Sequence, residues 1–372
     1  MQTLITGSGS EQTSYPAGRI CASVRRRCPV RRTTGHSAGE ITDARPRLRQ
    51  PGWRLGTRRY DRPMDRDLAR PTASIVVPAY QAAPHLARCV DSLCAQELQG
   101  DFEVIVVVSG NDGDDLSYAE AISHRSNVSV ILHRPRLTAA GARNVGVERA
   151  RSDLLVFTDA DVIVEADWLG NLVEAAAGTR CVAGAVINGT PSSRAGTTEY
   201  LVEFLDFHPG RPPNTIWHGA TCNLAVPRGL WERFGPFLSA SERVLEVDSA
   251  DTAFTLEVAA QGLLTFCADA RIRHMNRTRL RTVLAHQVSL GRNAAMLARS
   301  NATFPYRTLV QQTWAVPLIV AARWLSLWRR LAGWRVGLCP TALRLTGHIA
   351  LALGAWGVGL FKENLAIQRG RA

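Results

Sequence analysis

Two carboxylates one residue apart, Asp159 and Asp161, follow directly on the apolar run Leu154-Leu155-Val156-Phe157. A strand that ends in Asp-Ala-Asp delivers both side chains at one sheet edge. There their oxygens suit a hard divalent ion, Mg²⁺ or Mn²⁺, bridging a diphosphate. An isolated Asp-x-Asp serves equally well to cap the next helix, so the weight falls on its companions. Upstream, Gly141-Ala142-Arg143-Asn144-Val145-Gly146 reads as helix and sets Arg143 where its guanidinium could answer a phosphate; the plainer alternative is a solvated helical Arg.

The elements that must position these groups are legible from periodicity. Ala73 to Pro78 is a β-branched run, and Leu86, Val90 and Leu93 follow at helical spacing. Phe102 to Val108 reads as a buried strand, Leu116 to Ser123 as a helix and Val128 to Leu132 as a strand; Ala139 to Arg149 is a helix and Leu154 to Thr158 a strand. Alternating strands and helices imply an α/β fold with a mostly parallel, doubly wound sheet and ligands at the carboxyl ends of the strands. Loops 78–84, 108–115 and 159–165 are then expected to line one crevice.

Taken in order, these segments resemble family 2 glycosyltransferases of the GT-A fold from about residue 73 to about residue 275. Ser74-Ile75-Val76-Val77-Pro78-Ala79-Tyr80-Gln81 is similar to that family's opening strand and loop, Ala142-Arg143-Asn144 to its Ala-Arg-Asn helix and Asp159-Ala160-Asp161 to its Asp-x-Asp. Gly219-Ala220-Thr221-Cys222-Asn223 resembles the acceptor-side glycine and asparagine segment, and Phe234-Gly235-Pro236-Phe237 the Gly-Gly-Phe. The resemblance implies a nucleotide-binding sheet merged with an acceptor-binding half. It also implies an inverting sugar transfer from a nucleotide-diphosphate sugar, with Mg²⁺ or Mn²⁺ as cofactor.

By the same resemblance Pro78 and Tyr80 contact the donor nucleotide, Asp159 sits near the ribose and sugar, Arg143 near the diphosphate or donor sugar, and Asp161 and His274 on the metal. The catalytic base falls on Asp251, beside Ala250 where the family has Glu. Glu257 replaces a usual Arg, and Glu246 and Asp248 lie near enough upstream to compete. The loop Val108-Ser109-Gly110-Asn111-Asp112 lacks the Asp expected to read the nucleobase. Either Asp112 takes over from a shifted loop, or Ser109 and Asn111 make a different base contact, or donor binding is impaired. No Gln-x-x-Arg-Trp follows Asp251, which favours single-sugar transfer over processive synthesis.

Charge is uneven along the 372 residues, whose formal net is +12. Residues 1–70 hold 15 Arg against 6 acids, and residues 305–372 hold 9 basic groups against 1 acid. The first 70 residues are expected to be a disordered Arg-rich extension, with Met64 as an alternative start; 71–280 form the catalytic domain and 281–372 a C-terminal helical region. The extension has no zinc spacing, no helix-turn-helix pattern and few aromatics, so no specific nucleic-acid partner is expected. Eight scattered Cys with no Cys-x-x-Cys read as reduced thiols.

The apolar, Trp-containing stretches 309–331 and 345–361 lie at the lower limit for a bilayer span. Arg329, Arg330 and Arg335 would occupy a translocated turn, against the positive-inside preference. Amphipathic helices in the cytoplasmic leaflet, bringing the site to a glycan or lipid-linked acceptor, are the preferred expectation. A helical subdomain packed on the core is the alternative, and a non-catalytic membrane-associated relative is the rival to an enzyme.

Overall fold

The computed structural model describes residues 70–110, 113–177, 179–212, 216–237, 250–334 and 336–370. The expectations for the Arg-rich extension and for a start at Met64 lie outside the described residues.

The first half runs β1 (Ala73–Ala79), α1 (Ala83–Cys94), β2 (Phe102–Ser109), α2 (Gly113–Ile122), β3 (Val128–His133), α3 (Ala139–Arg149) and β4 (Leu154–Thr158). It continues through β5 (Val162–Val164), α4 (Trp168–Ala176), β6 (Cys181–Asn188), α5 (Arg194–Glu199), β7 (Asn223–Pro227), α6 (Arg228–Phe234), α7 (Ala250–Ala260) and β8 (Leu264–His274). The C-terminal part holds α8 (Leu280–Ser300), α9 (Arg307–Val310), α10 (Val316–Gly333), α11 (Cys339–Arg344) and α12 (Thr346–Gln368).

The eight strands of the described residues join one sheet in the order β3-β2-β1-β4-β7-β6-β8-β5. Strands β3, β2, β1 and β4 are mutually parallel, covered on both faces and therefore continuously apolar, as in Ile75-Val76-Val77. Helix α3 lies tight on β1 because Gly146 has no Cβ to strike Val76. The other half is mixed: β7 runs antiparallel to both β4 and β6, β6 pairs parallel with β8, and β5 runs antiparallel to β8. The expected doubly wound pattern thus holds for the parallel half, while the mixed half departs from it. Its reversed strands bring the starts of β5 and β7 to the edge where β1, β2, β4, β6 and β8 end.

The C-terminal helices are packed onto the sheet. Leu327, Leu331, Leu345, Ile349 and Leu353 share a core with Tyr200, Ala270 and Ile272. Helices α8 and α12 cross backbone to backbone, since a Cβ at Gly291 would overlap the Trp356 carbonyl and one at Gly359 the Val288 carbonyl. Arg292 pairs with Glu363 at 3.0 Å, and Arg299 donates to Asn364 Oδ1 at 2.7 Å. On the outside, Trp314, Leu318, Leu325, Leu351 and Phe361 are exposed at 67%, 60%, 68%, 56% and 44%. No helix of the described residues is long and apolar enough to cross a membrane. The helical region is therefore built on the core and keeps an apolar outer surface.

Candidate active site

Sheet register creates the central cluster. Pairing of β5 with β8 sets Val162 opposite His274, and the Met275 amide donates to the Asp161 carbonyl at 2.8 Å. Asp161 at the turn after β4 and His274 at the end of β8 are thereby locked side by side, with Nε2 3.6 Å from Asp161 Oδ1. One ligand atom from each of Asp159, Asp161 and His274 lies within 4.8 Å of the others. Two carboxylates and an imidazole fit a divalent ion of the Mn²⁺ or Mg²⁺ kind.

Arg143 is not solvated. It projects from α3 into the site, is 5% exposed and forms an ion pair with Asp159. The guanidinium expected near a phosphate pairs with the first carboxylate of the Asp-x-Asp and fixes its orientation. From below, the Cys89 thiol donates to the Asp159 carbonyl at 3.3 Å, and burial followed by Asp161 and Asp159 pushes that thiol's pKa up, keeping it neutral. The neighbouring Asn144 clamps Phe237 by accepting from its amide and donating to its carbonyl, so the Ala-Arg-Asn segment orients two walls at once.

His274 is buried at 6%, and the Phe204 ring lies against it at 4.5 Å between centroids. Phe204 ends a π-helical turn, Tyr200–Phe204, that follows α5. The same turn and α8 hold Glu203 3.3 Å from His286 Nε2, while Arg277 pairs with fully buried Glu199. Burial, then Glu203, pushes the Glu199 carboxyl up. Burial would also lift Glu203, but His286 and Arg277 bring it below the usual carboxylate range. Glu199, Glu203 and His286 are a second group of metal-ligand types. Arg277 already pairs with its Glu199, and the group forms the wall behind His274.

At the β1–β2 end, Pro78 is the penultimate residue of β1, Ser109 is buried at the end of β2, and Tyr80 lies beneath the Arg136 guanidinium at 3.8 Å. Gly110 adopts φ +109°, and a Cβ there would meet the Tyr80 ring at 3.2 Å. Arg136 was missed from the sequence, where it is one Arg among many. Asn111 and Asp112 lie outside the described residues. Asp251 is the second residue of α7, and its side chain lies outside the described residues as well. Thr255, one turn on, donates to the Gly219 carbonyl at 3.3 Å and so seats the start of α7 beside the 219–223 segment. Asn223, matched above to an acceptor-side asparagine, is buried: its Nδ2 donates to the Ala185 and Ala270 carbonyls and its Oδ1 accepts from Trp168 Nε1. It ties β6, β8 and α4 together and does not face the crevice.

Residues 74–224 match the family model described as glycosyl transferase family 2. This segment belongs to that family. The family 2 segment is 33% identical over 106 residues to an uncharacterized glycosyltransferase, EpsJ, of Bacillus subtilis, a match covering 28% of this chain and 30% of that protein. A second relative, glycosyltransferase AglE of Haloferax volcanii, is 24% identical over 170 residues, 45% of this chain and 56% of that one. The chain thus spans from about a third to somewhat over half of the length of these curated relatives. Among solved structures, a mannosyltransferase from Pyrobaculum calidifontis in complex with GDP-Man and Mn²⁺ superimposes with a TM-score of 0.55 at 19% identity, covering 86% of this chain and 91% of that one. That likeness identifies the fold as GT-A.

Proposed function

We propose that the protein transfers a single sugar from a nucleotide-diphosphate sugar to a hydroxyl of a glycan or lipid-linked acceptor, with inversion at the anomeric carbon. The observation that carries this reading is the convergence of Asp159, Asp161 and His274 at the edge where β4 and β8 end. It also supports an enzyme over a non-catalytic relative. Asp161 and His274, with Asp159, would hold Mn²⁺ or Mg²⁺, whose charge stabilises the departing diphosphate; the Pyrobaculum mannosyltransferase was solved with Mn²⁺ and GDP-Man.

The chain's own residues supply the rest. Arg143 keeps Asp159 turned toward the donor. Pro78, Tyr80 and Ser109 form the floor of the nucleotide end. Asp251, at the start of α7, takes the proton from the acceptor hydroxyl as its oxygen bonds to the anomeric carbon, and the sugar–phosphate bond breaks with its electron pair leaving on the diphosphate. One displacement inverts the centre and needs no carboxylate nucleophile.

The exposed side chains of Trp314, Leu318, Leu325, Leu351 and Phe361 support a reading in which the acceptor is met at the cytoplasmic face of the membrane. Arg307 lies on α9, Arg344 on α11 and Lys362 on α12, and the only acid after residue 304 is Glu363, which pairs inward with Arg292. An apolar face with cationic flanks suits an anionic leaflet.

Reaction with a panel of nucleotide sugars and polyprenyl-linked acceptors, the product's anomeric configuration read by NMR, tests the reading. Inversion by the wild type and loss of transfer in Asp251→Asn, with nucleotide binding kept, are expected. A retained configuration, or full activity of Asp251→Asn, would contradict it. Flotation with anionic vesicles should recover the wild type but not Leu325→Glu/Phe361→Glu.

A further inference from the structure

A ligating imidazole must present a bare nitrogen to its ion, and the partner of the other nitrogen decides which one is bare. His274 has Nε2 toward Asp161 and Nδ1 3.1 Å from Asn276 Oδ1. The orientation of the Asn276 amide therefore decides the tautomer, and that orientation can be traced outward to a group with no ambiguity.

The group is the backbone amide of Thr190, which can only donate. It lies 3.0 Å from Asn188 Oδ1, so that atom is the carbonyl oxygen; the other end of the Asn188 amide donates to Thr197 Oγ1 at 3.0 Å. The Asn276 atom 3.0 Å from this oxygen must then be its NH₂, which also reaches Thr190 Oγ1 at 3.3 Å. The Asn276 oxygen is left facing the ring and accepts from Nδ1–H. Nε2 is bare, on the side where Asp161 lies. Pairing of β6 with β8 sets Asn188 opposite His274, which brings the chain of amides into reach. Asn276 is 4% exposed, so water does not compete for these bonds.

We propose that Asn276, oriented by Asn188 and the Thr190 amide, is a positioning residue that holds His274 as the Nδ1–H tautomer and so presents Nε2 to the divalent ion. The inference rests on the metal reading above and assigns three residues to it that lie outside the Asp-x-Asp and His segments.

Binding of Mn²⁺ alone to the full chain, followed by the loss of the free-ion EPR signal, tests it. Asn276→Leu should weaken Mn²⁺ about 10- to 100-fold, whereas Asn276→Asp, which keeps the acceptor, should stay close to wild type. In a His274→Asn background, Asn276→Leu should change nothing further. An Asn276→Leu affinity equal to wild type, or an equal loss with and without His274, overturns the inference. Wild type that binds no Mn²⁺ overturns the metal reading and this inference together, so the two failures are distinguishable. ¹⁵N-histidine NMR of the wild type reads the tautomer with no variant at all. A protonated Nδ1 and bare Nε2 are expected for His274, and the reverse assignment overturns the proposal.

Discussion

Replacing Arg143 with Met removes one half of a largely buried ion pair while keeping most of its volume. The two side chains are 7% and 28% exposed. Breaking a fully buried pair costs about 3–5 kcal/mol, and an exposed one is worth about 0.2–1 kcal/mol. Asp159 keeps partial access to water, which screens its stranded charge, so a loss of about 2 kcal/mol is expected. For a chain of this size that corresponds to a drop of about 3 °C in melting temperature. Asp159→Asn in the Arg143→Met background removes the stranded carboxylate and should recover about half of the loss. Mn²⁺ should raise the melting temperature of Arg143→Met by more than that of wild type, because the cation compensates the carboxylate that Arg143 neutralised. Thermal unfolding of the four proteins of the cycle, with and without Mn²⁺, measures all of this. A coupling below about 0.5 kcal/mol, or an Mn²⁺ shift no larger in Arg143→Met than in wild type, would refute the assignment of Arg143 as the holder of Asp159.

Further outcomes follow from the helical part and from one half-buried imidazole. Gly359→Ala should cost at least about 1–3 kcal/mol by overlap with the Val288 carbonyl. Gly354→Ala, on the same helix with nothing within 4 Å of the added carbon, should be neutral or stabilising by up to about 1 kcal/mol; urea unfolding separates the two. His218, packed on Trp217 and Phe207, has its pKa pushed down from 6.5 to about 3 by burial and then by Arg211 and Arg323. The unfolded chain binds the extra proton first, so this imidazole's contribution is complete above pH 6.5 and is lost as pH falls toward 3. The slope is at most about 1.4 kcal/mol per pH unit. His218→Gln should flatten that acid limb in denaturation curves taken from pH 7 to pH 4.

The nucleotide-binding half was legible because its elements are local. The boundaries of α3 and β4 coincide with the runs Ala139 to Arg149 and Leu154 to Thr158, and β1 extends its run by one residue. Strands β6 and β7 were not read as strands. Cys181 to Asn188 is interrupted by Gly184, whose missing Cβ makes room for the buried Asn223 side chain, a contact across the sheet that no local pattern reports. The antiparallel insertion of β7 followed the same course, because five residues ending in Pro227 carry too little periodicity.

At the site, the family resemblance singled out Asp159, Asp161 and His274, which the structure brings together, while their supports come from distant chain. Asn188 lies 88 residues before Asn276 and Phe204 some 70 before His274, and only the register of β6 on β8 joins them. The charge of Arg143 is visible in sequence, but its burial and its pairing with Asp159 are not. The C-terminal helices carried signals for both packing and exposure. Glycines at α8–α12 contacts settle the inner face, and the Leu318, Leu325, Leu351 and Phe361 surface is what made the segments look membrane-seeking.

The most direct test of the site is calorimetric titration of wild type and Asp161→Asn with UDP and GDP, each with and without Mn²⁺. Expected is binding of at least one nucleoside diphosphate by the wild type that strengthens by about tenfold or more with Mn²⁺, and loss of that enhancement in Asp161→Asn. Nucleotide binding indifferent to Mn²⁺, or an enhancement that survives in Asp161→Asn, would contradict a metal–diphosphate site built on Asp159, Asp161 and His274.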